Sequence, residues 1–132
     1  MKYIIALAII LMITLVGYKT YQSTGAQAIC KPSETSTPYC KYKGEIDKVY
    51  INNNGLVLVF LNKSFNIGEA KGFGYDIKAG NIVAIDLNKE NQFSRELFDM
   101  TMLAFQHESA VELHARQTTS GYLVVDRIWV SK

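Results

Sequence analysis

Apolar and polar positions divide the chain into a short series of elements. Lys2 is followed by an apolar run from Tyr3 to Tyr18, and a polar stretch then leads to Ala26-Gln27-Ala28. A charged start, a greasy middle and a small-residue exit is the order of an export signal. Thr14 and Gly17 interrupt the run and Lys19 closes it, short of the ~18 to 20 apolar residues that span a bilayer. Residues 1–28 are therefore expected to be a removed signal peptide, with an uncleaved N-terminal anchor as the alternative. Residues 29–43 then read as a polar lead.

From Gly44 the period changes. Gly44 to Ile51 predicts a strand, Asn52-Asn53-Asn54-Gly55 a tight hairpin turn, and Leu56 to Leu61 its partner. This second run does not alternate, which implies burial on both faces. Residues 62–78, with Gly68, Gly72 and Gly74, read as a loop with a short strand near Phe73 to Ile77, and Asn81 to Leu87 as a further strand. One helix is predicted over Phe93 to Glu108, started near Asn91 or Ser94. Phe93, Leu97, Met100, Ala104 and His107 form one stripe on it, and Phe98, Met102 and Phe105 another, so it is expected to be covered on two sides, the second by a neighbouring subunit. Ala110 to Gln117 alternates, with Val111, Leu113 and Ala115 inward and Glu112, His114 and Arg116 outward. A turn at Thr118 to Gly121 precedes the last strand, Tyr122 to Val130.

Five main strands with a helix between the third and fourth give a mainly β, α+β chain. Their order is that of an OB-fold-like five-stranded barrel over residues 44–132, an open α+β sandwich being the other arrangement the pattern permits.

Composition adds the compartment. Cys30 and Cys40 are the only cysteines, and an even pair at short spacing in an exported chain reads as one disulfide, in a periplasmic or secreted protein. Removing residues 1–28 takes away Lys2 and Lys19 and no acid, so of 14 basic side chains 12 remain against 12 acidic ones. A balanced domain without a Lys/Arg run argues against a nucleic-acid partner. A membrane contact is expected only if the N-terminal segment is retained.

No chemistry-bearing motif stands out. The chain contains neither Gly-x-Ser-x-Gly nor His-Glu-x-x-His, and Gly72-x-Gly74 lacks the third glycine of a nucleotide loop. No cofactor, metal site or catalytic residue is expected. His114 beside Glu112 and Arg116 on one strand face is a weak acid/base arrangement whose ordinary reading is a solvated face paired across to Asp126 or Arg127. His107 reads as a helix-end residue favoured by the macrodipole. Tyr39, Tyr42, Tyr50, Tyr75, Tyr122 and Trp129 are candidate sugar platforms, since aromatic faces stack on sugar rings; the competing reading is core packing.

The run Arg95-Glu96-Leu97-Phe98-Asp99 through Ser109-Ala110-Val111-Glu112-Leu113-His114-Ala115, a helix passing without a gap into a Val-x-Leu-His strand, resembles the B subunits of the subtilase-cytotoxin and typhoid-toxin class and their small exported bacterial relatives. The strands Glu45 to Ile51 and Ile128-Trp129-Val130 are also similar to that class. The resemblance implies an OB-fold, assembly into a pentamer with helices lining its centre, and recognition of sialylated glycans on the outer face. On it, Phe98, Met102 and Phe105 become the oligomer interface, and the chain an exported binding protein for a glycan or protein ligand. The class presents a serine near its first strand for the sugar carboxylate, and none stands between Lys41 and Ile51. A membrane-tethered periplasmic accessory protein is the alternative, and a hydrolase using His114 with Glu112 a third.

Overall fold

A computed structural model of the chain describes residues 25–89 and 92–132; the expected export segment lies almost wholly outside them. Among the described residues, no helix is long and apolar enough to cross a membrane. The elements are β1 (Gln27–Lys31), β2 (Tyr39–Gly44), β3 (Ile46–Ile51), β4 (Leu56–Leu61), α1 (Ile67–Gly72), β5 (Ile82–Asp86), α2 (Gln92–Gln106), β6 (Ala110–Thr119) and β7 (Tyr122–Ser131). The protein is α+β and mainly β. Its strands form a seven-stranded sheet in the order β1-β2-β6-β7-β5-β4-β3, with β1 and β3 at its edges. Every pairing is antiparallel except β5 with β7.

This differs from the expected five-stranded closed barrel with one helix. The additional strands are β1 and β2, which occupy the segment read as a polar lead. Tyr39-Cys40-Lys41-Tyr42-Lys43 does alternate: Cys40 and Tyr42 are buried while Lys41 and Tyr39 are only partly covered and Lys43 is exposed. Tyrosine and lysine stems hide that period from a count of polar residues. The Cys30–Cys40 disulfide is present and joins directly opposed positions of the β1–β2 hairpin.

The second difference is α1, in the segment expected to be a loop. Asn66 caps it, its Oδ1 accepting from the Glu69 amide at 3.0 Å. An Asn cap satisfies one of the orphan donors of a first turn, which lets even a glycine-containing single turn form. Residues 73–77 are not a strand. Tyr75 instead turns inward, and its hydroxyl donates to the Pro38 carbonyl, fastening the disulfide loop to the core.

The main core lies between the inner face of the sheet and the two helices. Val57, Val59 and Leu61 of β4, Val83 and Ile85 of β5, Val111, Leu113 and Ala115 of β6, and Leu123 and Val125 of β7 meet Leu97 and Ala104 of α2 there. The inward set expected for β6 is the set observed. Leu56 and Leu58 point the other way and form a second cluster with Ala84, flanked by Phe60, Ile82 and Tyr122, so β4 is buried on both faces, as its non-alternating sequence predicts.

β2 ends at Gly44 and β3 begins at Ile46, yet four strands lie between them in the sheet. The sheet therefore curls until strands far apart in its order come within one residue of each other. Gly44 permits the bend, because a Cβ there would lie 2.5 Å from the Tyr42 hydroxyl and 2.9 Å from the Asn62 side-chain oxygen. Tyr42 is fully buried under it, its hydroxyl 2.5 Å from both the Glu45 carbonyl and the Asn62 amide oxygen. Burial, reinforced by the Asp47 and Glu45 carboxylates, pushes this phenol up to about 12, so it stays protonated as a donor.

Candidate functional site

Cross-strand neighbours of a sheet project on the same side. The register sets Lys41 opposite His114, Lys43 opposite Glu112, His114 opposite Arg127 and Glu112 opposite Trp129. The outer face of β2, β6 and β7 thus gathers aromatic, basic and acidic side chains from three strands.

His114 is its centre. The imidazole stacks on Tyr39 with centroids 4.9 Å apart and planes at 28°, and Trp129 lies on it at 4.6 Å and 55°. Its Nε2 is 3.0 Å from Glu112 Oε1. A carboxylate acceptor there fixes the proton on Nε2, which leaves Nδ1 as a bare lone pair. Nδ1 is buried and, among the described residues, has no hydrogen-bond partner. Protonation would turn it into a buried donor with nothing to receive it, and burial is indeed the largest influence on this ring. It lowers the His114 pKa below the usual histidine value, against the opposing pull of Glu112. The ring is neutral at neutral pH, stacked on Tyr39 and met at a tilt by Trp129.

Charged groups frame the stack. Arg116 Nη1 donates to both carboxylate oxygens of Asp126, at 3.0 and 2.8 Å, and its guanidinium carbon lies 5.5 Å from the Tyr39 ring centre. Lys41 Nζ is 3.9 Å from Glu112, beyond hydrogen-bond reach. Lys43 and Arg127 are exposed on the same face. Once Arg116 is set against Asp126, this face carries more basic than acidic groups, a local excess inside a chain whose expected processed form is balanced.

The candidate platforms are scattered rather than joined. Trp129, 47% exposed, is brought to His114 and Tyr39. Tyr42 and Tyr75 are core residues whose rings offer no face to a ligand. Tyr50 is exposed on edge strand β3, and Tyr122 flanks the second apolar cluster at the start of β7. Sequence reasoning placed Glu112, His114 and Arg116 on one outward face with Asp126 or Arg127 as its cross-strand partner; the pair that forms is Arg116 with Asp126. It did not find the Tyr39–His114–Trp129 cluster, because Tyr39 belongs to a strand read as a lead; the Tyr-x-Lys-x-Lys alternation was the available signal.

On α2, Ser94, Leu97, Thr101 and Ala104 are buried, and the Thr101 hydroxyl donates to the Leu97 carbonyl at 2.7 Å. Phe98, Met102 and Phe105 are half-buried, and Phe98 packs on the core. The apolar side chains most open to solvent on this helix are Phe93, Met100 and Leu103. His107 follows the helix, its amide bonded to the Leu103 carbonyl at 3.1 Å, and is exposed. Among the described residues, no three His, Cys, Asp or Glu side chains are grouped to hold a metal ion.

Comparison of the chain with protein-family models, with curated proteins and with solved structures found no match in any of the three.

Proposed function

We propose that the protein is an exported binding protein that recognises a glycan or protein ligand on the Tyr39–His114–Trp129 face and works as an oligomer. The observation that carries this reading is the half-exposed Trp129 ring, set against a neutral histidine, with Glu112 opposite it and the exposed Lys43 and Arg127 on the same face. A rigid aromatic face supplies contact area at low entropic cost, and basic neighbours suit a ligand with an acidic group. Catalysis is disfavoured by the same geometry. His114 already spends Nε2 on Glu112 and keeps Nδ1 out of reach, so it presents no nitrogen with which to take a substrate proton.

The OB-type reading of the fold belongs here too. Tyr39 to Ile51, interrupted only at Glu45, is in this view one bent strand that serves both ends of the curled sheet. Counted so, the order β2/β3-β4-β5-β7-β6 has five members, a parallel β5–β7 pair, and a helix between the third and fourth, as a small OB barrel has. The exposed Phe93, Met100 and Leu103 edge of α2 is then the contact between copies.

The test is equilibrium binding of the oxidised protein to immobilised glycans and acidic peptides, with Trp129→Ala beside the parent. Loss of a stacking ring is expected to weaken binding by up to about tenfold without altering the thermal midpoint. A variant that binds as well as the parent, or a parent that binds neither class, rejects the reading.

A further inference from the structure

At the far end of β7 from Trp129, three turns converge: the β3–β4 turn at Asn52 to Gly55, the segment Asp86 to Asn88 after β5, and the β6–β7 turn at Thr119 to Gly121. They enclose a shallow concavity of about 340 Å³. Its floor is Leu56, Leu58 and the Tyr122 ring, part of the second apolar cluster on the outside of the sheet. Its rim is made of amides and hydroxyls, from Asn52, Asn54, Asn88, Thr119 and Ser120, with Asp86 its one charged member.

The rim is built rather than loose. The Asn88 Nδ2 donates to the Asn54 carbonyl at 2.6 Å, the Asn54 amide to Asn52 Oδ1 at 2.9 Å, the Asn88 amide to Asp86 Oδ1 at 3.0 Å, and the Leu87 amide to the Gly55 carbonyl at 2.8 Å. Gly55, at φ 74°, is needed for the fit, since a Cβ on it would lie 2.1 Å from Asn88 Oδ1. These bonds hold the backbone and leave other groups free. Among the described residues, neither the side-chain amide of Asn54 nor the hydroxyls of Thr119 and Ser120 have a partner.

We infer that this concavity is a second binding site, for one neutral sugar ring. A pyranose has a ring of hydroxyls, each both donor and acceptor, around an apolar face. Amides and hydroxyls match the edge in both senses, while leucines and a tyrosine match the face. The lining has no cation to attract an anionic ligand, which sets it apart from the basic Trp129 face. Its size is at the small end of ligand pockets, which run from about 300 to 1,000 Å³, and suits a single ring. Tyr122 and Trp129 are seven residues apart on β7, so the two sites are separated by about 20 Å of strand. The inference does not rest on the Trp129 reading.

The experiment is a titration followed by amide proton–nitrogen correlation spectra. It uses the disulfide-bonded protein recovered from expression of the full chain, with methyl β-galactopyranoside, methyl α-glucopyranoside and methyl α-mannopyranoside as probes. At least one is expected to give saturable millimolar shifts confined to amides 52–56, 86–88 and 119–122. Asn54→Ala, which removes a side chain with no partner among the described residues, is expected to weaken that binding about tenfold, the scale of one lost hydrogen bond. Thr119→Val is expected to act in the same direction. Saturation by none of the three sugars, shifts confined to residues around Trp129, or unchanged affinity in both rim variants would overturn the site.

Discussion

At the scale of single residues, the informative side chains are those whose environment restricts them to one role. His114 is held neutral by burial, and the sign of its effect on stability follows. The unfolded chain takes up a proton near pH 6.5, whereas the folded chain takes it up only at lower pH, so between the two values the unfolded state binds more protons. Its contribution is present above about pH 6.5 and is lost as pH falls toward the folded value. Urea unfolding of the parent is expected to show stability falling as pH drops below about 6.5, with a flatter profile in His114→Phe over the same range. Tyr42 is a second such case. Tyr42→Phe leaves the Glu45 carbonyl and the Asn62 side chain without their buried hydroxyl and is expected to cost about 1 to 3 kcal/mol in chemical denaturation. Both residues sit on strands, and only one of them was placed by the sequence. The alternation of β6 marks His114 as outward, whereas Tyr42, a candidate ligand platform on its ring alone, holds up the bend at Gly44.

At the scale of elements, periodicity was legible where one kind of side chain faced one way. β4, β5, β6 and β7 lie within a residue or two of their predicted bounds, because Val, Leu and Ile mark an inner face without ambiguity. The hairpin at Asn52 to Gly55 was readable for the same local reason, with Gly55 supplying the positive φ. β1, β2 and α1 were not readable. β2 has its second partner, β6, far along the chain and its alternation is masked by tyrosine and lysine stems; β1 has β2 alone; and α1 rests on a single Asn cap among glycines that otherwise signal a loop. The helix α2 was located correctly, but its faces were assigned one step round. The stripe chosen as an interface is half-covered by the protein itself, and Phe93, Met100 and Leu103 remain outside. If copies meet on this helix, Leu103→Glu is expected to keep the far-ultraviolet circular dichroism of the parent while its native mass falls to that of one chain. Met102→Glu, at a half-buried position, is expected to lose thermal stability as well. An unchanged native mass in Leu103→Glu would remove this helix as the contact.

At the scale of the whole molecule, the sheet depends on pairings between the two ends of the chain. β1 is an edge strand attached to β2 alone by its ladder, and the Cys30–Cys40 bond clamps that attachment. The double variant Cys30→Ser/Cys40→Ser is expected to lose about 2 to 3 kcal/mol, the entropy of closing a loop of this length, read as a lower denaturation midpoint. Processing after Ala28, as the sequence suggests, would trim β1 from five residues to three, which makes the clamp more important still. The pairing of cysteines was predictable from their number. That they fix a strand of the domain, rather than a lead outside it, required knowing that β6 waits seventy-five residues further on to receive β2.

The bend at Gly44 also governs the order of events as the chain emerges. Tyr42 finds its neighbour Leu113 only on β6, and β6 is paired along its length with β7, which is the last strand to be made. Folding therefore cannot finish until nearly the final residue is available, and contacts of such long sequence separation place it among slow, millisecond-to-second folders. The N-terminal hairpin spends that interval as an incomplete template, the edge of β2 that receives β6 still open. A disulfide between directly opposed residues needs only local chain, so oxidation can fix the hairpin early and hold it in register until its partner arrives.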